Sequence, residues 1–105
     1  GGLILRHRAK AGEIRPELSG HYHPRLQLKV RQRHIRRPCA VVSANDGPGG
    51  KPGGRMILPA FGAFTGGMDA ADPAILNALQ PAQRIDAVVP AKGQLARFNL
   101  WNRAA

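Results

Sequence analysis

The fold of this chain follows from PRLQLKVR, residues 24–31, in which apolar and polar side chains alternate. Successive side chains of a β-strand point to opposite faces, so the alternation predicts a half-buried strand whose outer face is basic and exposed to solvent. Comparable strand patterns recur at 3–7, 39–42, 55–58, 85–89 and 95–101. These patterns predict a mainly antiparallel β region. They also predict a loop at 9–20 and a hairpin with a long glycine-rich tip at 45–54.

One short helix is expected at residues 73–79. Asp72 is a residue type that caps helix N-termini, and Pro73 suits the first helical position because its φ is already helical. The 13 glycines and 9 prolines oppose a helical bundle, since helix interiors tolerate neither residue well. A length of 105 residues predicts a single domain or part of one, so we treat 1–105 as one unit.

Basic residues dominate the charge of the chain. There are 16 Lys and Arg residues against 6 Asp and Glu, and the formal net charge is +10. The excess is concentrated in residues 1–37, which favours an anionic partner, most commonly a phosphate backbone. The alternative is a solvated face that keeps a small protein soluble. Candidate phosphate or nucleic-acid contacts are Arg6, Arg36 and Arg37.

The sequence also limits the compartment and the class of protein. No apolar run approaches the roughly 18 residues that a membrane-spanning helix needs, and no secretory signal is visible. Cys39 is the only cysteine in the sequence, which excludes an internal disulfide framework. We therefore expect a cytoplasmic protein with no membrane partner.

Two histidines stand two positions apart in Gly20-His21-Tyr22-His23-Pro24. On a loop bounded by glycine and proline, both imidazoles can converge on one pocket, and neutral imidazole is a common ligand of transition metals. His7 ends a predicted strand and could join them. A surface loop with incidental histidines is the alternative. His34, inside a run of arginines, is best interpreted as one more polar residue of a basic strand or turn.

Five segments in order resemble one known family. SGHYHP at 19–24 resembles the G-H-x-H-P element of calcineurin-like metallophosphoesterases, and LRH at 5–7 resembles the isolated histidine motif that precedes it. RRPC at 36–39, LPAFGAFTGG at 58–67 and DPA at 72–74 then follow. The series is similar to the C-terminal half of the ligase-associated DNA-damage-response endonuclease subfamily, and it covers nearly the whole chain.

The resemblance implies an α/β fold, the C-terminal, β-rich half of a four-layer αββα sandwich. It implies a hydrolase that cleaves phosphodiesters. The complete domain would bind two divalent ions, with manganese favoured and zinc, iron or nickel as alternatives. In that family, the histidines matching His7 and His21 bind one metal, and the one matching His23 binds the other. No catalytic residue beyond these ligands is implied here. The implied partners are a phosphodiester substrate such as DNA and, functionally, a DNA ligase or helicase in DNA repair.

The family's other ligands come from Asp-x-His, Gly-Asp-x-x-Asp/Asn and Gly-Asn-His-Asp/Glu elements, and none occurs in these 105 residues. We therefore interpret the chain as the C-terminal portion of a metallophosphoesterase domain. We expect it to be inactive alone, because Mn²⁺ prefers oxygen ligands and three neutral imidazoles on a basic chain supply none. The absence of the first half also predicts exposed apolar patches and unpaired strand edges. The alternative functions are a small basic nucleic-acid-binding β module without catalysis, or a structural remnant.

Overall fold

The structure is a computed structural model that describes residues 3–13, 17–30, 33–46, 52–59 and 67–103. The strands within these ranges are β1 Ile4–Arg8, β2 Glu17–Gly20, β3 Pro24–Val30, β4 Arg33–Pro38, β5 Ala40–Asp46, β6 Pro52–Ile57, β7 Met68–Asp69, β8 Arg84–Ala91 and β9 Gln94–Asn102. The helix α1 spans Pro73–Ala78. The protein is mainly β with one short helix, as the sequence patterns predict.

The strands form two sheets. The large sheet has the strand order β1-β2-β6-β5-β8-β9, and the small sheet has the order β4-β3-β7. In the large sheet, β1, β2 and β6 pair in parallel, whereas β6, β5, β8 and β9 pair antiparallel. In the small sheet, β3 pairs antiparallel with β4 and parallel with β7. Both sheets are therefore mixed, but antiparallel pairing predominates among the described strands, as the sequence patterns predict.

The predicted loop at 9–20 is wrong over its last four residues, which form β2. Glu17 and Ser19 of this strand are buried, while Leu18 is only half-buried. The usual pattern of apolar residues facing inward is thus reversed. The strand β2 lies between β1 and β6 and pairs with both. Because the sequence patterns do not predict β2, they do not predict the parallel part of the sheet either.

The hydrophobic core lies on one face of the large sheet. Val41, Ile57 and Ala87 occupy adjacent register positions on β5, β6 and β8, and all three are fully buried. Ile75 of α1 and Leu26 of the small sheet belong to the same buried cluster. This face of the large sheet is therefore covered by the rest of the fold.

The local signals for the helix and the hairpins are confirmed. The Asp72 carboxylate accepts a hydrogen bond of 2.8 Å from the Ala74 N–H, and Pro73 opens the helix. β5 and β6 form the predicted antiparallel hairpin, although the part of its tip at 47–51 lies outside the described residues. β8 and β9 meet at a turn in which Lys92 and Gly93 both have positive φ. No helix in the described ranges is long and apolar enough to cross a membrane.

Candidate metal centre

Two of the three candidate ligands meet at one edge of the large sheet. His7 lies near the end of β1, and His21 follows β2 directly. The Nε2 atom of His7 is 3.2 Å from the Nδ1 atom of His21, and the two rings lie edge to face with centroids 5.1 Å apart. Because β1 and β2 are parallel, their carboxyl ends reach the same edge, where both rings are exposed to solvent.

A β-bulge in β1 sets the direction of His7. The register passes from Arg6 opposite Ser19 to Arg8 opposite Gly20, so His7 is the extra residue in the strand. A bulge bends its strand and re-aims the side chains beside it. His7 accordingly contacts His21, while Arg8 lines the adjoining cleft.

Residues 21–23, which connect β2 to β3 and are called here the histidine loop, have a strained backbone. His21 has a φ of 74°, and the Tyr22 N–H donates to the Gly20 carbonyl oxygen at 2.9 Å. These are the features of a γ-turn whose central φ is positive, a rare conformation. His23 is also left-handed, with a φ of 50°. Such residues cost about 1–3 kcal/mol each and cluster at functional sites, where the surrounding structure holds them in place.

The strand β7 holds this loop from the other side. Met68 pairs with Pro24, and the Met68 N–H donates to the Tyr22 carbonyl oxygen at 3.3 Å. Gly67 has a φ of 147°, and a Cβ atom there would lie 2.5 Å from the carbonyl oxygen of His23. Only glycine lets β7 approach the loop this closely. The last glycine of LPAFGAFTGG therefore shapes the histidine loop, while residues 60–66 lie outside the described part of the chain.

A cleft of about 730 Å³ opens beside the histidine pair. Its polar side chains come from three separate segments of the sequence. They are Arg8, His21, Tyr22, His23, Asp69 and Asp72. The structure thus brings His23 into the same cleft as His21. No sequence pattern indicates that Arg8, Asp69 and Asp72 belong to this site. The bulge in β1 brings Arg8 to the cleft, and the pairing of β7 with β3 brings the segment that contains Asp69 and Asp72.

The nitrogens of His7 and His21 are at hydrogen-bond distance, and their spacing also fits two ligands of one ion. Two imidazole nitrogens bound at about 2.0–2.1 Å to a tetrahedral Zn²⁺ are separated by about 3.3 Å, close to the spacing found between His7 and His21. Within the described ranges, however, no group of three or more His, Cys, Asp or Glu side chains is arranged to hold a metal ion. The donor set therefore fits part of a metal site that needs further ligands.

Comparisons with protein-family models, with curated proteins and with solved structures find no match to this chain. The metallophosphoesterase resemblance rests on the five quoted segments alone. The structure brings two of these segments into contact. His7, in residues 5–7, lies against His21, in residues 19–24.

The three arginines named as phosphate contacts lie in different surroundings. Arg6 Nη2 is 3.0 Å from Glu13 Oε1, and Arg6 Nε is 3.4 Å from Glu17 Oε2, so its guanidinium is held by carboxylates. Arg36 and Arg37 are exposed on β4. Arg8 belongs to none of the ion pairs formed among the described residues, and its side chain lines the cleft.

The single cysteine is buried and does not line the cleft that holds His21 and His23. Burial, and secondarily the negative charge of Asp69, raise the pKa of the Cys39 thiol to about 11. A thiol must lose its proton to bind a metal strongly. Cys39 therefore remains a protonated, buried side chain.

Proposed function

We propose that this chain contributes the histidine half of a metal-dependent phosphoesterase site that acts on phosphodiesters such as DNA. The observation that carries the proposal is the 3.2 Å separation of His7 Nε2 and His21 Nδ1 at an exposed sheet edge. The strained turn at His21 supports it, since an unfavourable backbone conformation is retained where the ring must point in one direction.

The chain's own side chains would bind and orient the reacting groups. His7 and His21 would hold one divalent ion, and His23, on the same cleft, would contribute to a second. The Arg8 guanidinium would bind the phosphoryl oxygens, for which its planar fork of N–H donors is suited. Divalent ions bound there supply neutralisation of the phosphate charge and a lowered pKa for bound water.

The lack of a group of three or more candidate ligands among the described residues supports the expectation that the chain is inactive alone. The carboxylates lining the cleft are Asp69 and Asp72, and one oxygen of each accepts a backbone N–H, from Ala71 and Ala74 respectively. Imidazole nitrogens suit zinc and cobalt better than manganese, which prefers oxygen ligands. We therefore expect the isolated chain to bind Zn²⁺ or Co²⁺ measurably and Mn²⁺ weakly.

Zinc titration calorimetry on matched histidine variants tests the proposal. We expect His21→Gln and His7→Gln each to weaken Zn²⁺ binding by about tenfold or more, a loss of at least about 1.4 kcal/mol. His34→Gln removes one imidazole from β4 and serves as the control, with unchanged affinity. Equal zinc affinity in the His21→Gln and His34→Gln variants would contradict the proposal, provided that circular dichroism shows all variants folded.

A second candidate function is a basic nucleic-acid-binding module without catalysis. It is favoured by the exposed Arg36 and Arg37 on β4, whose partner strand β3 begins directly after the histidine loop. Phosphate contacts by such residues give binding that weakens steeply with salt and does not require a metal. DNA binding that is unchanged by a chelator would favour this candidate over the hydrolase.

A further inference from the structure

The face of the large sheet that lies opposite the core is lined by apolar residues. Leu5 is opposite Leu18, Leu18 is opposite Met56, and Met56 is opposite Val42, so one row of apolar side chains crosses β1, β2, β6 and β5. Their neighbours along the strands, such as Ile57, point into the core. Leu5 is 74% exposed, so the described fold does not cover this face.

The central part of this face forms a groove of about 720 Å³, called here the apolar groove. Its principal lining is Val42, Met56, Val88 and Leu95, with Arg37 and Arg97 also lining it. Leu95 is 71% exposed. Contiguous exposed apolar surface of this kind marks an interaction site, because leaving it in water is unfavourable.

The charges around the groove indicate the chemistry of its occupant. The Arg37 side chain is exposed, and that of Arg97 is 57% exposed although it also pairs with Asp86. The carboxylate of Asp86 is itself buried, so it offers no acceptor to an incoming chain. An occupant that brings carboxylates to the rim would therefore gain ion pairs there, whereas a basic occupant would be repelled.

A second copy of the chain is poorly suited to this groove. In a two-fold symmetric dimer the same patch meets itself, so Arg37 and Arg97 would face the same arginines. Each copy also carries a formal net charge of +10. Four carboxylates elsewhere are already engaged or distant from the groove: Glu17 is buried with Arg55, Glu13 pairs with Arg6, and Asp69 and Asp72 line the cleft beside His21.

We propose that the apolar groove binds an acidic amphipathic polypeptide segment. Its apolar side chains pack on Val42, Met56 and Leu95, and its carboxylates pair with Arg37 and Arg97. This binding requires no metal, so its failure in a metal-free assay is distinguishable from failure of the proposed function.

Fluorescence anisotropy with two labelled probes tests the proposal on the full chain. One probe is an eight-residue peptide of alternating Val and Glu, and the other replaces every Glu by Lys. The groove variant is Leu95→Ser, which removes apolar surface from a side chain that is already exposed and adds no charge. The matched control is Leu3→Ser, at a leucine that is 55% exposed and does not line the groove.

We expect the acidic peptide to bind at least about tenfold more tightly than the basic one, and Leu95→Ser to weaken its binding by about tenfold while Leu3→Ser leaves it unchanged. Arg37→Gln should reduce the preference for the acidic probe. Equal binding of both probes, equal effects of the two leucine variants, or no binding would each overturn the proposal. Sedimentation showing a dimer that Leu95→Ser dissociates would overturn it in favour of a second copy.

Discussion

Glu17 and Arg55 form an ion pair inside the large sheet, with the Glu17 Oε1 atom 2.9 Å from Arg55 Nη2 and 3.1 Å from Arg55 Nε. Neither side chain has exposed surface. The two residues are register partners on the parallel strands β2 and β6. The same guanidinium also donates to the carbonyl oxygens of Lys10 and Gln80, so it connects these strands to two connecting segments.

Removing one partner of this pair should be costly. Arg55→Met leaves the Glu17 carboxylate buried without its main donor, and breaking such a pair typically costs about 3–5 kcal/mol of unfolding free energy. The double variant Glu17→Gln/Arg55→Met leaves no buried charge, so we expect it to be more stable than Arg55→Met alone by about 1 kcal/mol or more. Urea unfolding measures both, and a double variant no more stable than Arg55→Met would contradict the account.

Asp86 should make stability depend on pH. Burial raises the pKa of this carboxyl, but hydrogen bonds from Asn99, Arg84 and Arg97 outweigh the burial, so the pKa lies below its ordinary value. A carboxyl with a lowered pKa stabilises the fold above its unfolded pKa of about 3.9, and that contribution is lost as the pH falls through the folded pKa.

We therefore expect the difference in unfolding free energy between the wild type and Asp86→Asn to be largest above about pH 5 and to shrink towards pH 2. Urea unfolding at several pH values measures it. Asp72→Asn is a useful control, because it also replaces a carboxylate by an amide and asparagine still caps helices. A difference for Asp86→Asn that stays constant with pH would contradict the prediction.

Manganese should not make the isolated chain an enzyme. The described donors that face one another are the two neutral imidazoles of His7 and His21, whereas Mn²⁺ prefers oxygen ligands. We expect no Mn²⁺-dependent hydrolysis of bis-p-nitrophenyl phosphate above that of a His21→Gln sample purified in parallel. Metal-dependent turnover that His21→Gln abolishes would show that the chain needs no further ligands.

Arg8 should contribute to anion binding at the cleft. With the chain loaded with Zn²⁺, we expect Arg8→Gln to weaken binding of inorganic phosphate by about tenfold, because a guanidinium–phosphate hydrogen bond of this kind is worth about 1.5–3 kcal/mol. Calorimetry measures the affinity, and Arg103→Gln, which removes an exposed arginine outside the cleft, is the control. Identical losses in the two variants would indicate a general charge effect instead of a specific contact.

Arg36 and Arg37 should set the salt dependence of DNA binding, if the chain binds DNA. Each phosphate contact contributes about 0.9 to the slope of log K against log salt, so Arg36→Gln/Arg37→Gln should reduce that slope by about 2. A Lys10→Gln/Arg103→Gln double variant removes the same charge from exposed positions elsewhere. Equal reductions in both variants would rule out a contact specific to β4.

Much of the local structure was predictable because its causes lie close together in the chain. The alternation at 26–30 predicts β3, and Asp72 before Pro73 predicts the start of α1, since a cap needs only its own side chain and nearby N–H groups. Strand β2 was not predictable in this way. Its inward residue Glu17 is stabilised by Arg55, 38 positions away, and no pattern within residues 9–20 indicates that partner.

By itself, the sequence determined the residue types: a basic, β-rich chain in which three of the four histidines are predicted metal ligands. Only the tertiary structure decided which of them meet. His7 and His21 are 14 positions apart, and their contact requires the bulge in β1, the turn at His21 and the parallel pairing of two strands. The apolar groove likewise exists only because residues of five strands, β4, β5, β6, β8 and β9, come together. Both features depend on strand register, which is set by the packing of the whole sheet and not by any single segment.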